Sequence, residues 1–147
     1  MALDIEHVLV AVDGSDESRA AAETAGAIVE RYEANLHLLH FVDNRVMRDI
    51  ETGTISPETI AHEQRALTER VREQLPEGVG FTASSAAGFS TTKLGQTPGT
   101  VILDVAEERG VDFLVVPRET PSGDPDEVLG KAALYVLEYA SQPVLSV

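Results

Sequence analysis

Residues 7–15 read HVLVAVDGS: a short apolar and β-branched run, His7 to Val12, that stops at Asp13-Gly14-Ser15. An unbroken run of this length is the pattern of a buried strand, and Asp-Gly-Ser is turn chemistry. Past the turn the period changes. Ala21, Ala25, Ile28, Val29 and Tyr32 recur on one face of a helix that Ser15 can cap, while Asp16 and Glu17 complement the dipole in its first turn. The remainder of the chain repeats this strand-to-helix alternation.

Residues 35–42, NLHLLHFV, form a second apolar run that ends at Asp43-Asn44. The stretch 45–54 is polar and poorly patterned, and Ser56-Pro57 then provides a cap and a first-position proline for a helix whose inner face is Ile60, Leu67, Val71 and Leu75. Val79, Phe81 and Ala83 alternate with small or polar residues, as expected of an exposed edge strand. Residues 88–99 are rich in Gly, Ser and Thr and read as a long loop. A short helix follows around Val101, Ile102, Val105 and Ala106, then a buried strand at 112–117, DFLVVP. A loop at 121–125 leads to a helix faced by Leu129, Ala132, Ala133, Val136, Leu137 and Ala140, and Pro143 to Val147 make the last strand. Strands alternating with helices require right-handed crossovers and a parallel sheet with helices on both faces. Residues 1–147 contain no internal repeat or linker, so a single α/β domain is expected.

Composition narrows the chemistry. The 147 residues contain no cysteine, which removes disulfides, thiol nucleophiles and thiolate metal sites. Twenty-five acidic residues face 11 basic ones, for a net charge of -14, with Lys93 and Lys131 the two lysines. Such a surface repels phosphate backbones and anionic lipid, so neither nucleic acid nor membrane is expected as a partner. No run reaches the roughly 18 apolar residues of a membrane span, and MALDIEH lacks the regions of a signal peptide, which leads to an expectation of a cytoplasmic protein. Dispersed acids with few lysines also fit a halophilic cytoplasm, where a Debye length of about 3 Å at 1 M salt screens self-repulsion, although an acidic mesophilic protein has the same composition.

Four segments, HVLVAVDGSDESRAAAETA, NLHLLHFVD, AEERGVDFLVVP and EYASQPVLSV, resemble in that order the universal stress protein family over essentially the whole chain. The resemblance implies a five-stranded, Rossmann-like or flavodoxin-like parallel sheet of order 3-2-1-4-5 and a cytoplasmic homodimer. It also places a ligand crevice beyond the carboxyl ends of the first and fourth strands, where Asp13-Gly14-Ser15 and the segment after Pro117 would meet.

Nucleotide-binding members of that family carry, after the fourth strand, a glycine, two residues, a glycine, nine residues, then glycine followed by Ser or Thr. Glycines let backbone N–H groups approach phosphates, and the helix N-terminus completes the nest. Here Gly130 matches the last glycine, Lys131 stands at the hydroxyl position, and the first two glycines fall on Pro117 and Thr120. Proline has no N–H to offer and Thr is β-branched, so the motif is degraded. The aspartate after the first strand and the residue near the end of the second, the family's other nucleotide contacts, match Asp13 and Phe41. Asp13 has a second reading as a turn cap. Phe41 replaces a small aliphatic residue at a contact made mainly through backbone.

Arg118, directly after the fourth strand, is a candidate anion contact or one half of a surface salt bridge to Glu119 or Asp124. His37 and His40 lie three apart in a strand and so face opposite sides, and no metal site is expected from His7, His37, His40 and His62. Val144, Leu145, Ser146 and Val147 form an uncharged edge that a second copy can cover, in keeping with the dimer the resemblance implies. Two functions stay open: a non-catalytic homodimeric stress-response module acting on protein partners, with a degraded ATP site and no cofactor, or an ATP-binding and slowly hydrolysing relative holding Mg-ATP through Asp13, Gly14, Ser15, Phe41, Gly130 and Lys131.

Overall fold

Alternation along each strand sends successive side chains to opposite faces of the sheet, and both faces are covered. A computed structural model describes residues 4–13, 15–42, 44–86, 97–118 and 132–147. Its elements in chain order are β1 (His7–Val12), α1 (Asp16–Tyr32), β2 (Asn35–Phe41), α2 (Asn44–Glu51), α3 (Pro57–Gln74), β3 (Phe81–Ala86), α4 (Pro98–Glu108), β4 (Phe113–Val116), α5 (Ala132–Tyr139) and β5 (Val144–Ser146). All strand pairs are parallel and the order is β3-β2-β1-β4-β5. The expected architecture and strand order are therefore those of the molecule.

Val8, Val10, Val12, Leu36 and Leu38 pack against Ala21, Ala25 and Val29 of α1 and Val71 of α3. On the opposite face Leu9, Ala11, Leu39 and Phe41 pack against Ile102 and Ala106 of α4 and Val136 of α5. β1, central in the sheet, is buried and apolar from Val8 to Val12, which is why it stands out in the sequence.

Helix ends follow the sequence where side chains do the capping. Ser15 accepts from the Ser18 amide at 3.2 Å to start α1, and Ser56 accepts from the Thr59 amide at 3.2 Å ahead of Pro57 to start α3.

Several expectations are corrected. The unpatterned stretch 45–54 contains all but the first residue of α2, a helix in which five of eight residues are polar or charged. The helix expected at 101–106 begins earlier, at Pro98. Thr97 caps it in a reciprocal box with Thr100, the Thr97 amide donating to Thr100 Oγ1 at 2.9 Å and the Thr100 amide to Thr97 Oγ1 at 3.3 Å. Residues 88–96 of the expected loop lie outside the described set. β3 lies two to three residues later than the alternation suggested. Tyr32 is 45% exposed and Leu137 50%, so neither belongs to the core. Tyr32 ends α1 beyond the stripe Ala21, Ala25 and Val29, and α5 buries only Ala132, Ala133 and Val136 because it packs near the β5 edge of the sheet. In α3 only Val71 is fully buried, and Ile60 faces a cleft rather than the core. Leu129 lies outside the described residues. No helix among the described residues is long and apolar enough to cross a membrane.

Candidate functional site

β1 pairs with β2 on one side and β4 on the other, and the crossovers from β1 and from β3 lie on opposite faces, so the chain reverses direction at β1. A crevice must open beyond the carboxyl ends at such a point. The β1–β2 ladder ends at Val12 opposite His40, which puts Asp13 and Phe41 one step past the last pairing.

Asp13 is built into the turn. Its Oδ1 accepts from the Ser15 amide at 3.0 Å and from the Ser18 hydroxyl at 2.6 Å, and its own amide donates to Ser18 Oγ at 2.8 Å. The Ser15 hydroxyl donates to Ser18 Oγ at 3.1 Å. Ser18 is fully buried, so this knot fixes the start of α1 and aims Asp13 at the crevice.

A cleft of about 480 Å³ opens there, bounded by Asp13, His40 and Phe41 at the strand ends, by Val46 of α2 and by Ile60 and Gln64 of α3. Arg19 of α1 and Arg70 of α3 also line it, beside the acidic Glu63. The cleft thus carries two guanidinium groups against the Asp13 and Glu63 carboxylates in a chain of net charge -14, so an anion meets less repulsion here than over the surface at large. Arg19 lies 3.8 Å from the exposed Asp16 carboxylate, a weak surface pair.

His40 is 5% exposed, and its orientation follows from α3. The Thr68 hydroxyl donates to the Gln64 carbonyl at 2.8 Å, which leaves Thr68 Oγ1 an acceptor for His40 Nε2 at 3.1 Å. The neutral ring therefore carries its proton on Nε2 and presents Nδ1 as an acceptor. Burial lowers the pKa of His40 below its usual value, which keeps the ring in that form.

His37 faces the other side of the sheet, as the strand parity requires, with Nδ1 bonded to Thr82 Oγ1 at 2.7 Å and Nε2 to Ser84 Oγ at 2.8 Å. Burial, then the positive charge of Arg109 and, last, electrostatic coupling to His40, lowers its pKa to about 4. It lines a second cavity, of about 310 Å³, with His7, Asn35 and Arg109 at the amino ends of β1 and β2. Among the described residues no three His, Asp or Glu side chains converge to hold a metal ion.

Of the residues singled out from sequence, Asp13, Ser15 and Phe41 lie together at the strand ends. Gly14, Gly130 and Lys131 lie outside the described residues. Arg118 is exposed just past β4, its amide donating to the Val147 carbonyl at 2.6 Å, and Glu119 and Asp124 are outside the described set. Val144 to Ser146 form the β5 edge strand next to β4, and the Val147 amide donates to the Val116 carbonyl at 3.0 Å. Sequence reasoning missed the cleft's other walls. Val46 sits in the unrecognised α2. The parity of β2 that sets His40 against the α3 side was visible, as was the helical spacing of Ile60, Gln64 and Leu67.

An open parallel sheet of this order with a crevice at its switch point defines the doubly wound class that takes ligands at the carboxyl ends of its strands. Residues 4–147 match the model of the universal stress protein family, and the chain belongs to that family. A universal stress protein A homolog of Pasteurella multocida is 36% identical over 112 residues, 75% of this chain and 74% of that protein. Two solved structures share the fold. A universal stress protein in complex with cAMP has a TM-score of 0.65 at 21% identity, covering 99% of this chain and 98% of its own. The universal stress protein of Archaeoglobus fulgidus in complex with dAMP has a TM-score of 0.61 at 18% identity, covering 98% of each chain.

Proposed function

We propose that this protein is a stress-response module that acts by binding and not by turnover, a homodimer joined along β5 whose switch-point cleft takes an adenine nucleotide by its base. The supporting observation is the 480 Å³ cleft one step past the ends of β1 and β2, bounded by Asp13 and Phe41, the two positions matching nucleotide contacts in the family. That volume lies within the usual range of small-molecule sites, roughly 300–1,000 Å³. Two relatives in fold are complexes with adenine nucleotides bearing one phosphate, cAMP and dAMP.

A single phosphate suits this chain better than three. Pro117 and Thr120 stand where glycine N–H groups would otherwise approach a polyphosphate, and Asp16 and Glu17 oppose added negative charge in the first turn of α1. Lys131 offers a point charge and not a nest. Mg-ATP is accordingly expected to gain little over AMP.

Calorimetric titration of the purified protein with AMP, cAMP and Mg-ATP, with chromatography of acid extracts for nucleotide carried from the cell, tests this. Saturable binding of AMP or cAMP, with Mg-ATP no tighter and no ADP released, is the expected result. No heat with any of the three and no extracted nucleotide would overturn the nucleotide reading and direct the search to protein partners; steady ADP release would overturn the non-catalytic one.

A further inference from the structure

Two polar groups in the cleft are held in fixed orientation, and one is nearly buried. His40, with Nε2 committed to Thr68, has no hydrogen-bond partner for Nδ1 among the described residues. Gln64 is fixed from the other side. The Ser85 hydroxyl donates to Gln64 Oε1 at 3.0 Å, so the amide oxygen is taken and the NH2 group is the remaining donor. Both side chains line the same cleft, and both are tied to one anchor, because Thr68 bonds the Gln64 carbonyl and the His40 ring at once. The cleft therefore contains an acceptor and a donor whose roles are set by β3 and α3 before any ligand arrives.

We propose that His40 and Gln64 read the edge of the adenine base, His40 Nδ1 accepting from the exocyclic amine and the Gln64 amide donating to the adjacent ring nitrogen. This rests on the adenine-nucleotide reading above and adds to it the residues that decide which purine enters. Adenine presents an amine donor beside a ring acceptor. Hypoxanthine replaces the amine with a carbonyl oxygen, which would set acceptor against acceptor at His40. Thr68 holds the His40 proton on Nε2 and burial disfavours a second proton on the ring, so Nδ1 stays an acceptor. Phe41, Val46 and Ile60 supply the apolar walls that make an unpaired polar edge costly.

The test compares AMP with inosine monophosphate on the wild-type protein and two variants by calorimetry. His40→Gln places an amide N–H where Nε2 stands, which keeps the bond to Thr68 and removes the Nδ1 acceptor. Gln64→Glu keeps an oxygen for Ser85 and removes the donor, at a half-buried position. Wild type is expected to favour AMP by about tenfold or more, and each variant to lose about tenfold in AMP affinity while the preference for AMP collapses. If wild type binds AMP and the variants retain both its affinity and its preference, the pair does not read the base and the nucleotide reading stands alone. Equal losses for AMP and inosine monophosphate would also overturn the assignment. A wild type that binds neither nucleotide would sink the nucleotide reading itself.

Discussion

The Ser18 hydroxyl donates to Asp13 Oδ1 across 2.6 Å while accepting from the Asp13 amide at 2.8 Å, so one buried serine satisfies both ends of the residue that opens the crevice. Ser18→Ala leaves an amide and a carboxylate oxygen short of a partner at the edge of the core. It is expected to cost about 1–3 kcal/mol, read as a lower urea midpoint with an unchanged slope. A midpoint unmoved from wild type would show that water replaces the hydroxyl without penalty.

Gly99, in the first turn of α4, is pressed against α5. A Cβ placed there would stand 2.5 Å from Tyr135 Cδ1, 2.8 Å from Cγ and 2.9 Å from Cβ, too close for a rotation of the ring alone to relieve. Gly99→Ala gains up to about 1 kcal/mol of helix propensity but forces the two helices apart, at about 1–3 kcal/mol. Net destabilisation is expected, relieved in part when Tyr135→Ala is added. A double-mutant cycle without coupling would refute the packing argument.

His37 predicts acid sensitivity of a definite sign. Its folded-state pKa is lowered, chiefly by burial, to about 4, against 6.5 for the free side chain. The unfolded chain therefore takes up a proton that the folded one refuses as pH falls from 6.5 toward 4. Stability contributed by the neutral ring is full above pH 6.5 and declines through that window, by up to about 3 kcal/mol on this group alone. Urea midpoints at pH 7 and pH 5 should separate more for wild type than for His37→Gln, which stays neutral throughout. Equal separations would mean that the carboxylates account for the whole acid response.

β5 is the edge strand beside β4, and Leu145 in its centre is 38% exposed without a charge on either side to guard it. Leu145→Glu is expected to convert a dimer into a monomer in sedimentation velocity while leaving the circular dichroism spectrum intact. A wild type that sediments as a monomer at tens of micromolar would rule out the β5 interface.

With a net charge of -14, self-repulsion should lower stability in dilute buffer. The melting temperature is expected to climb from 0.1 M to about 3 M KCl, where the Debye length is below about 3 Å. A flat or falling curve would remove the case for a halophilic setting.

Legibility in the sequence tracked local forces. β1 and β4 were readable because strands covered on both faces read as near-continuous apolar runs, and α1 and α3 because Ser15 and Ser56 cap within their own turns. α2 was not, since five of its eight residues are polar or charged and it begins within the Asp43-Asn44 turn signal. The start of α4 was hidden because its capping box is built from two threonines, Thr97 and Thr100, next to Pro98 and Gly99, a composition shared with loops.

The sequence by itself determined the alternation of strands and helices apart from α2, and the turn at Asp13, because these rest on periodicity and on residues close in the chain, while its family resemblance implied the strand order. Only the tertiary structure decided what the cleft can do. His40 becomes an acceptor because Thr68, 28 residues away, fixes its proton, and Gln64 becomes a donor because Ser85, 21 residues on, takes its oxygen. Proton positions in a buried network are set by whichever partners the fold brings within hydrogen-bonding distance, and no local pattern encodes them.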